Sequence, residues 1–222
     1  MKKQIITTAD GSKTIHFPEW NESYHSKHGA IQEAKHVYIE SGLDFRQKQD
    51  DALSLNVLEF GFGTGLNAYL TAIYAKKNQI KITYHSVEKY PLGLEDISNF
   101  NFGNILKAKS IDYKKLHLIE WEKPIKISDE FQLNKIQADF KNFESQNKYD
   151  IIFFDAFGPR VQPELWDKPL LQKCFDLLAP NGVWVTYSCK GSVRRYLQDI
   201  GFQVEKIAGP PGKREMLRAI KF

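Results

Sequence analysis

The chain has 222 residues, 42% of them hydrophobic and 26% charged, a composition typical of one globular domain. No apolar run reaches the ~18 residues of a membrane-spanning helix, and no apolar stretch follows the basic first residues as it would in a signal peptide. Cys174 and Cys189 form no C-x-x-C pattern, which excludes a disulfide framework and a cysteine-built zinc site. His25, His28 and His36 also lack cysteine or acidic partners at ligand spacing. We therefore expect a cytoplasmic protein without a bound metal.

The formal net charge of +4 is unevenly distributed. Residues 190–222 contain eight Lys and Arg against three Asp and Glu, whereas residues 1–189 contain 23 against 24. A basic C-terminal region is compatible with an anionic partner such as nucleic acid. A solvated basic face gives the same count, so charge alone leaves both interpretations open.

The first fifty residues are predicted to form an extension that packs on a main domain of residues 51–222. Residues 4–17 alternate loosely around Asp10-Gly11, a dipeptide favoured in two-residue hairpin turns, and predict a β-hairpin. Residues 29–42 have apolar side chains at helical spacing and end on a glycine, which predicts a helix.

From Leu55 onward, short apolar strands alternate with helical stretches, the pattern of βαβ units in a parallel sheet. Strands are predicted at 55–60, 80–88, 116–121, 151–155, 183–188 and 202–207. Helices are predicted at 66–76, 92–109, 164–178 and 192–200. Residues 125–140 indicate an inserted hairpin, and residues 215–222 an antiparallel strand closing the sheet. The predicted fold is α/β, a doubly wound, mostly parallel sheet of seven strands with an antiparallel last strand and an N-terminal β-hairpin extension.

The strongest motif is a glycine-rich turn between the first predicted strand of the main domain and its helix, Glu59-Phe60-Gly61-Phe62-Gly63-Thr64-Gly65. Glycines there let the backbone approach a ligand, and the helix N-terminus presents free N–H groups. The third glycine comes one residue earlier than in the dinucleotide fingerprint. By itself the motif also fits a tight turn that binds nothing.

Acidic residues follow three further predicted strands. Glu88, 23 residues after Gly65, can accept hydrogen bonds from both hydroxyls of a ribose. Asp139, followed by Phe140, can meet the amine and the face of adenine. Asp155 follows a fully apolar strand and can accept a proton or orient an amine. Each acid alone also fits an ordinary loop or helix cap, but in a doubly wound sheet all of them lie at the edge where ligands bind.

With these residues in place, the chain resembles the class I S-adenosylmethionine-dependent methyltransferases, which have a Rossmann-like fold. The string Gly61-Phe62-Gly63-Thr64-Gly65-Leu66-Asn67 narrows the resemblance to the MnmC-like tRNA methyltransferases. Further matching blocks lie at 155–159 with 163–166, at 191–195 with 201–202, and at 212–217. That family transfers a methyl group to the amine of 5-aminomethyl-(2-thio)uridine at the tRNA wobble position.

The resemblance implies S-adenosyl-L-methionine as cofactor, the tRNA anticodon loop as partner and Asp155 as the catalytic residue. It implies cofactor contacts from Glu59, Gly61, Gly63, Thr64, Gly65, Asn67, Glu88, Asp139 and Phe140. We expect residues 22–26 to cover the amino-acid end of the cofactor. Reaching a wobble base requires extruding it, which RNA-binding proteins do with aromatic stacking and phosphate contacts. The candidates are Phe157 and Trp166 for stacking, and Lys190, Arg194, Arg195, Lys213 and Arg214 for phosphates.

The chain departs from the family pattern at Ala156, at Gln162 and at residues 187–190, which affects the expected substrate pocket. The best-known members continue into a flavin-dependent oxidase domain. No second dinucleotide fingerprint is present here, so we expect the oxidative half to be absent or supplied by another protein.

Two other functions remain open from the sequence. An aminopropyltransferase of the polyamine-synthase type shares the predicted fold and also opposes an amine to a sulfonium. The bulky Phe62 and Thr64 in the glycine loop and the lack of a second aspartate just after Asp155 speak against it. A non-catalytic tRNA-binding subunit is the second alternative, and the intact glycine loop and acids disfavour it.

Overall fold

The computed structural model describes residues 2–108 and 111–222. Its first strands, β1 (Gln4–Thr7), β2 (Lys13–Phe17) and β3 (Glu22–Ser23), form a small antiparallel sheet. The predicted hairpin is confirmed as β1 and β2. Asp10 stabilises its turn because its Oδ1 accepts hydrogen bonds from the Thr8 hydroxyl at 2.8 Å and from the Ser12 N–H at 3.0 Å.

The helix predicted at 29–42 is confirmed, but most of it is π-helical. It begins as α1 (Ala30–Ala34), widens into a π-helix at Lys35–Asp44 and ends as α2 (Phe45–Gln47). Gly42 allows the π-helix to lie against the main sheet, because a Cβ there would come within 2.9 Å of a Val185 methyl group. Tyr38 is buried on the same contact face, 5.2 Å between ring centroids from Phe153.

The main sheet confirms the α/β, doubly wound prediction, and within the described residues it has eight strands rather than seven. Its strands are β4 (Ser54–Phe60), β5 (Lys81–Glu88), β6 (Pro124–Lys126), β7 (Phe131–Gln137), β8 (Tyr149–Phe154), β9 (Leu178–Thr186), β10 (Gln203–Ala208) and β11 (Glu215–Ile220). They lie in the order β10-β11-β9-β8-β4-β5-β7-β6. The five central strands β9, β8, β4, β5 and β7 are parallel, whereas β11 is antiparallel to β9 and β10, as predicted.

Helices cover both faces of this sheet. They are α3 (Leu66–Asn78), α4 (Leu94–Ser98), α5 (Phe102–Leu106), α6 (Tyr113–Leu118), α7 (Lys168–Leu177) and α8 (Gly191–Ile200), with a 3-10 turn at Pro163–Leu165. The helix predicted at 92–109 is two short helices, and residue 109 lies outside the described residues. No helix in the described part of the chain combines the length and the apolar character needed to cross a membrane.

The strand predicted at 116–121 is wrong, because helix α6 occupies the first half of that segment and the second half is not a strand. Asp112 caps it by accepting the Lys114 N–H at 2.9 Å, and the buried Tyr113 and Leu116 are three residues apart, as on one helix face. The place beside β5 is taken by β7, which was predicted as part of an inserted hairpin. In β7 the buried residues alternate at Phe131, Leu133 and Lys135.

Candidate active site

The carboxyl ends of the central strands and the N-terminal segment enclose a cavity of about 430 Å³. Of the residues predicted from the sequence, those in its wall are Gly61, Gly63, Thr64, Asn67, Glu88, Asp139, Phe140, Asp155, Phe157 and Lys213. Glu59 and Gly65 are buried and do not line the cavity. The position agrees with the general location of ligand sites in open α/β sheets.

The glycine loop after β4 has a backbone that requires glycine. Gly61 has a φ of +103°, and a Cβ on it would come within 2.5 Å of the Asp155 carbonyl oxygen. Gly63 has a φ of +47°, and a Cβ there would press against the Tyr24 ring at 3.0 Å. Strands β4 and β8 are therefore brought together at the point where each delivers a site residue.

Glu88 is tied to the glycine loop by a direct hydrogen bond. Its Oε2 accepts the Gly63 N–H at 3.1 Å, and its Oε1 accepts the Tyr90 N–H at 2.8 Å. Burial raises the pKa of this carboxyl, while the two backbone N–H groups act in the opposite direction. Each oxygen retains a lone pair, so Glu88 can still accept hydrogen bonds from a ligand.

Asp139 and Phe140 line the cavity at the end of β7. Asp139 pairs with Lys89 at 2.8 Å and accepts the Lys141 N–H at 3.0 Å, and the hydrogen bond from Lys89 lowers its pKa. The Phe140 ring packs on Phe60 with 5.2 Å between centroids. One charged and one aromatic group therefore stand side by side at this end of the cavity.

Asp155 lines the cavity, and both of its carboxylate oxygens are hydrogen-bonded. Tyr38 donates its hydroxyl to Oδ1 at 2.6 Å, and the Asn67 amide donates to Oδ2 at 2.8 Å. The same amide nitrogen donates to Glu59 Oε1 at 3.0 Å, and Ser86 donates to Glu59 Oε2 at 2.6 Å. Asn67 therefore links two acids.

Burial raises the pKa of both acids, that of Glu59 to about 8 and that of Asp155 to about 7. The hydrogen bonds from Tyr38 and Asn67 oppose this rise at Asp155. Because the Asn67 side-chain nitrogen is already engaged by two carboxylates, its predicted contact with a cofactor would have to come from its other atoms. Sequence reasoning missed Tyr38 and Ser86, since Tyr38 has only the periodicity of a core residue on its helix.

The N-terminal segment forms one wall of the cavity. Tyr24 covers Gly63, and its ring lies 5.1 Å from the ring of Phe157 between centroids. Arg160, in the loop after β8, donates to the Trp20 carbonyl at 2.8 Å and pairs with Glu22 at 3.2 Å. The segment expected to cover a ligand therefore contacts the cavity and is joined to the loop that follows Asp155.

Trp166 is not placed to stack on a base. Its side chain is 3% exposed, its indole N–H donates to the Phe157 carbonyl at 2.8 Å, and its ring packs on Phe154 with 5.0 Å between centroids. It belongs to the core on the α7 face of the sheet. Phe157, in contrast, is half-buried and lines the cavity.

The basic candidates fall into two groups. Lys190, Arg195 and Arg214 are exposed and Arg194 is half-buried, and none of these four lines the cavity. Lys213 does line it, with Nζ 2.8 Å from Glu33 Oε1 and 3.9 Å from the centroid of the Tyr187 ring. Two of the departures from the family pattern touch each other, because the Tyr187 hydroxyl donates to the Ala156 carbonyl at 2.9 Å.

A glycine loop at a helix start, Glu88 at the end of the next strand and the half-buried Asp155 after β8 stand together at the edge of the sheet where ligands bind, in the arrangement of a class I methyltransferase fold. Within the described residues, no group of three or more His, Cys, Asp or Glu is placed to hold a metal ion.

Comparison with known proteins identifies the family. The profile of the S-adenosyl-L-methionine-dependent methyltransferases matches residues 103–222, and the chain belongs to this family. It is 30% identical over 213 residues to the tRNA 5-methylaminomethyl-2-thiouridine biosynthesis bifunctional protein MnmC of Leptospira interrogans, an alignment that covers 90% of this chain and 32% of that protein. The chain thus spans about a third of the length of the curated relatives it matches.

Two solved structures are also similar. The crystal structure of MnmC2 from Aquifex aeolicus superposes with a TM-score of 0.77 at 26% identity, over 98% of this chain and 70% of that one. The spermidine synthase of Thermotoga maritima has a TM-score of 0.55 at 11% identity, over 100% of this chain and 72% of that one, a likeness of fold alone.

The cavity fits the family's cofactor, S-adenosyl-L-methionine. The glycine positions leave room that a Cβ would fill, and the loop backbone lies at the start of α3. Glu88 suits ribose hydroxyls, and Asp139 with Phe140 suits a base. These contacts follow the sequence-based assignment and are proposals.

Proposed function

We propose that the chain is an N-methyltransferase that converts 5-aminomethyl-(2-thio)uridine to 5-methylaminomethyl-(2-thio)uridine at the wobble position of tRNA. The similarity to the MnmC proteins over 90% of this chain supports the choice of substrate. In this proposal residues 1–50 are an extension packed on a methyltransferase domain of residues 51–222. The protein works in the cytoplasm, and a separate protein supplies the oxidative step.

The main support for this chemistry is the Asp155 carboxylate in the cavity wall. Tyr38 and Asn67 each donate a hydrogen bond to it, and burial raises its pKa to about 7. When bound, S-adenosyl-L-methionine supplies a methyl group already activated by its sulfonium. A primary amine attacks only in its neutral form. Asp155 accepts a hydrogen bond from the aminomethyl nitrogen and takes up a proton from its ammonium form. It thereby orients the lone pair of the neutral nitrogen toward the methyl carbon.

The other residues keep water out and position the tRNA. Tyr24 and Phe157 close one side of the cavity, where Phe157 can also contact the extruded base. Lys190, Arg194, Arg195 and Arg214 provide positive charge outside the cavity for phosphates of the anticodon loop. Lys213 differs from them because it is paired with Glu33 inside the cavity.

The test is methyl transfer with purified protein. The protein is incubated with labelled S-adenosyl-L-methionine and tRNA carrying 5-aminomethyluridine, and the nucleosides are identified by mass spectrometry after digestion. Unmodified transcript of the same tRNA is the matched control. Label in 5-methylaminomethyluridine with the modified tRNA alone is the expected result.

Calorimetric titration separates the alternatives. Tighter binding of decarboxylated S-adenosylmethionine than of the carboxylated form would favour an aminopropyltransferase. Binding of tRNA with neither cofactor binding nor transfer would identify a non-catalytic subunit. Either result would overturn the proposal.

A further inference from the structure

We infer that Tyr38 is a positioning residue for the proposed reaction, which orients the Asp155 carboxylate and keeps it able to accept a proton. The inference rests on the proposed function. The Tyr38 hydroxyl donates a direct hydrogen bond of 2.6 Å to Asp155 Oδ1. This contact joins residues 117 positions apart in the chain.

The Tyr38 side chain is packed in the core. Its side chain is 2% exposed, and its ring packs on Phe153, the second residue before Asp155 in the chain. The residue lies inside the π-helix Lys35–Asp44. The wider π turn is uncommon and is frequently found at functional sites. Close packing against the sheet at Gly42 fixes the helix that carries the hydroxyl.

The second carboxylate oxygen is fixed from the opposite side by Asn67, which β4 in turn holds through Glu59. Two donors on separate elements therefore set the plane of the Asp155 carboxylate and leave one lone pair of each oxygen for a substrate amine. Burial raises the pKa of Tyr38 well above its usual range, so it remains a donor wherever Asp155 titrates. Tyr38 and Asn67 together therefore orient the Asp155 carboxylate.

Several groups contribute to the charge around Asp155. Glu33 raises the pKa of Asp155 and Lys213 lowers it, so the two members of this ion pair have opposite effects on the carboxyl. The titratable groups that face Asp155 from the surrounding elements are Glu33, Tyr38, Glu59, Tyr84, Tyr187 and Lys213. Of these, Tyr38 is the group that hydrogen-bonds the carboxylate directly.

The test is Tyr38→Phe, which removes one hydroxyl and keeps the buried ring. Loss of a hydrogen bond to a charged acceptor raises the pKa of Asp155 by about one unit from its value of about 7, and therefore lowers kcat at pH 7 by about fivefold. The acidic limb of the kcat profile therefore moves to higher pH, and the deficit shrinks as the pH rises. The Kd of S-adenosyl-L-methionine is expected to stay within about twofold, since the hydroxyl contacts the acid.

Tyr74→Phe is the matched control, because the Tyr74 hydroxyl donates to Asp44 at 3.0 Å outside the cavity. It is expected to leave kcat and its pH profile unchanged. A uniform deficit of Tyr38→Phe at every pH, or a profile that coincides with that of Tyr74→Phe, would overturn the inference.

Two further measurements make the result independent of turnover and of the stability of one variant. The carboxyl ¹³C resonance of labelled Asp155, assigned by its loss in Asp155→Asn, should titrate at higher pH in Tyr38→Phe. Site-specific 3-fluorotyrosine at position 38 is a stronger donor and should move both the resonance and the kcat limb to lower pH. If the wild-type protein transfers no methyl group, the proposed function fails, while an unshifted carboxyl titration still refutes the role of Tyr38 separately.

Discussion

The Nζ of Lys213 lies 2.8 Å from Glu33 Oε1, although 180 residues separate them in the sequence. Glu33 lies on α1, and it also accepts the Ser26 N–H at 2.7 Å. Lys213 lies in the turn between β10 and β11. The pair therefore fastens the N-terminal extension to the C-terminal end of the sheet at the wall of the cavity.

Lys213→Met should destabilise the protein by about 1–3 kcal/mol, because it leaves the nearly buried Glu33 without its cationic partner. Urea denaturation measures the change. Lys206→Met breaks an exposed pair with Glu215 and is the matched control, with an expected cost below about 1 kcal/mol. Equal changes in the free energy of unfolding would show that the pair of Lys213 with Glu33 stabilises the protein no more than an exposed ion pair does.

Asp155→Asn should lower kcat by about 10²–10⁴-fold and leave the Kd of S-adenosyl-L-methionine nearly unchanged, because the amide keeps the shape of the acid but accepts no proton. Single-turnover methylation and calorimetry measure the two quantities. Asp50→Asn, an exposed position paired with Arg46 outside the cavity, is the control. A parallel loss of binding and turnover would make Asp155 a structural residue.

Gly61→Ala should destabilise the protein by more than about 1 kcal/mol and weaken cofactor binding. The positive φ disfavours any side chain, and the new Cβ would meet the Asp155 carbonyl at 2.5 Å. Gly93→Ala is the control, since Gly93 has a φ of −75° and nothing lies within 4 Å of a Cβ there. Thermal unfolding and calorimetry should therefore separate the two variants, and an unaffected Gly61→Ala would contradict the close approach of β4 and β8.

Arg195→Glu combined with Arg214→Glu should weaken tRNA binding and reduce its dependence on salt, because fewer counterions are released from the phosphates. Both side chains are exposed. The Kd of S-adenosyl-L-methionine should not change. Lys76→Glu combined with Lys77→Glu, both exposed at the other end of α3 from the glycine loop, is the charge-matched control. An unchanged slope of log Kd against log salt concentration would show that tRNA binds to a surface of the protein other than that of Arg195 and Arg214.

Much of the fold and part of the cavity wall were predictable from local sequence. Apolar runs separated by helical stretches gave the parallel sheet, and Gly61, Glu88 and Asp155 each follow such a run. Since the carboxyl ends of parallel strands meet at one edge of a sheet, residues at strand ends converge whatever the details of packing. The structure places all three in the cavity wall.

The local sequence pattern gave wrong predictions where the same apolar residues suit two different structures or roles. Residues 116–121 have enough apolar character for a strand, but the cap at Asp112 and the buried pair Tyr113 and Leu116 select a helix. Trp166 follows a site loop in sequence, yet its ring is buried in the core against Phe154. Burial in the core decides the outcome for Trp166, whereas at α6 a local cap acts together with the burial of Tyr113 and Leu116.

The class of sheet, the glycine loop and the acids at its edge follow from local sequence, because they depend on strand ends and backbone sterics. The donors that hold Asp155, and the pairing of Lys213 with Glu33 at the cavity, follow from the packing of distant segments. Tyr38 and Asp155 lie 117 residues apart. No local periodicity specifies such a contact, since it exists only once a helix of the extension packs against the completed sheet.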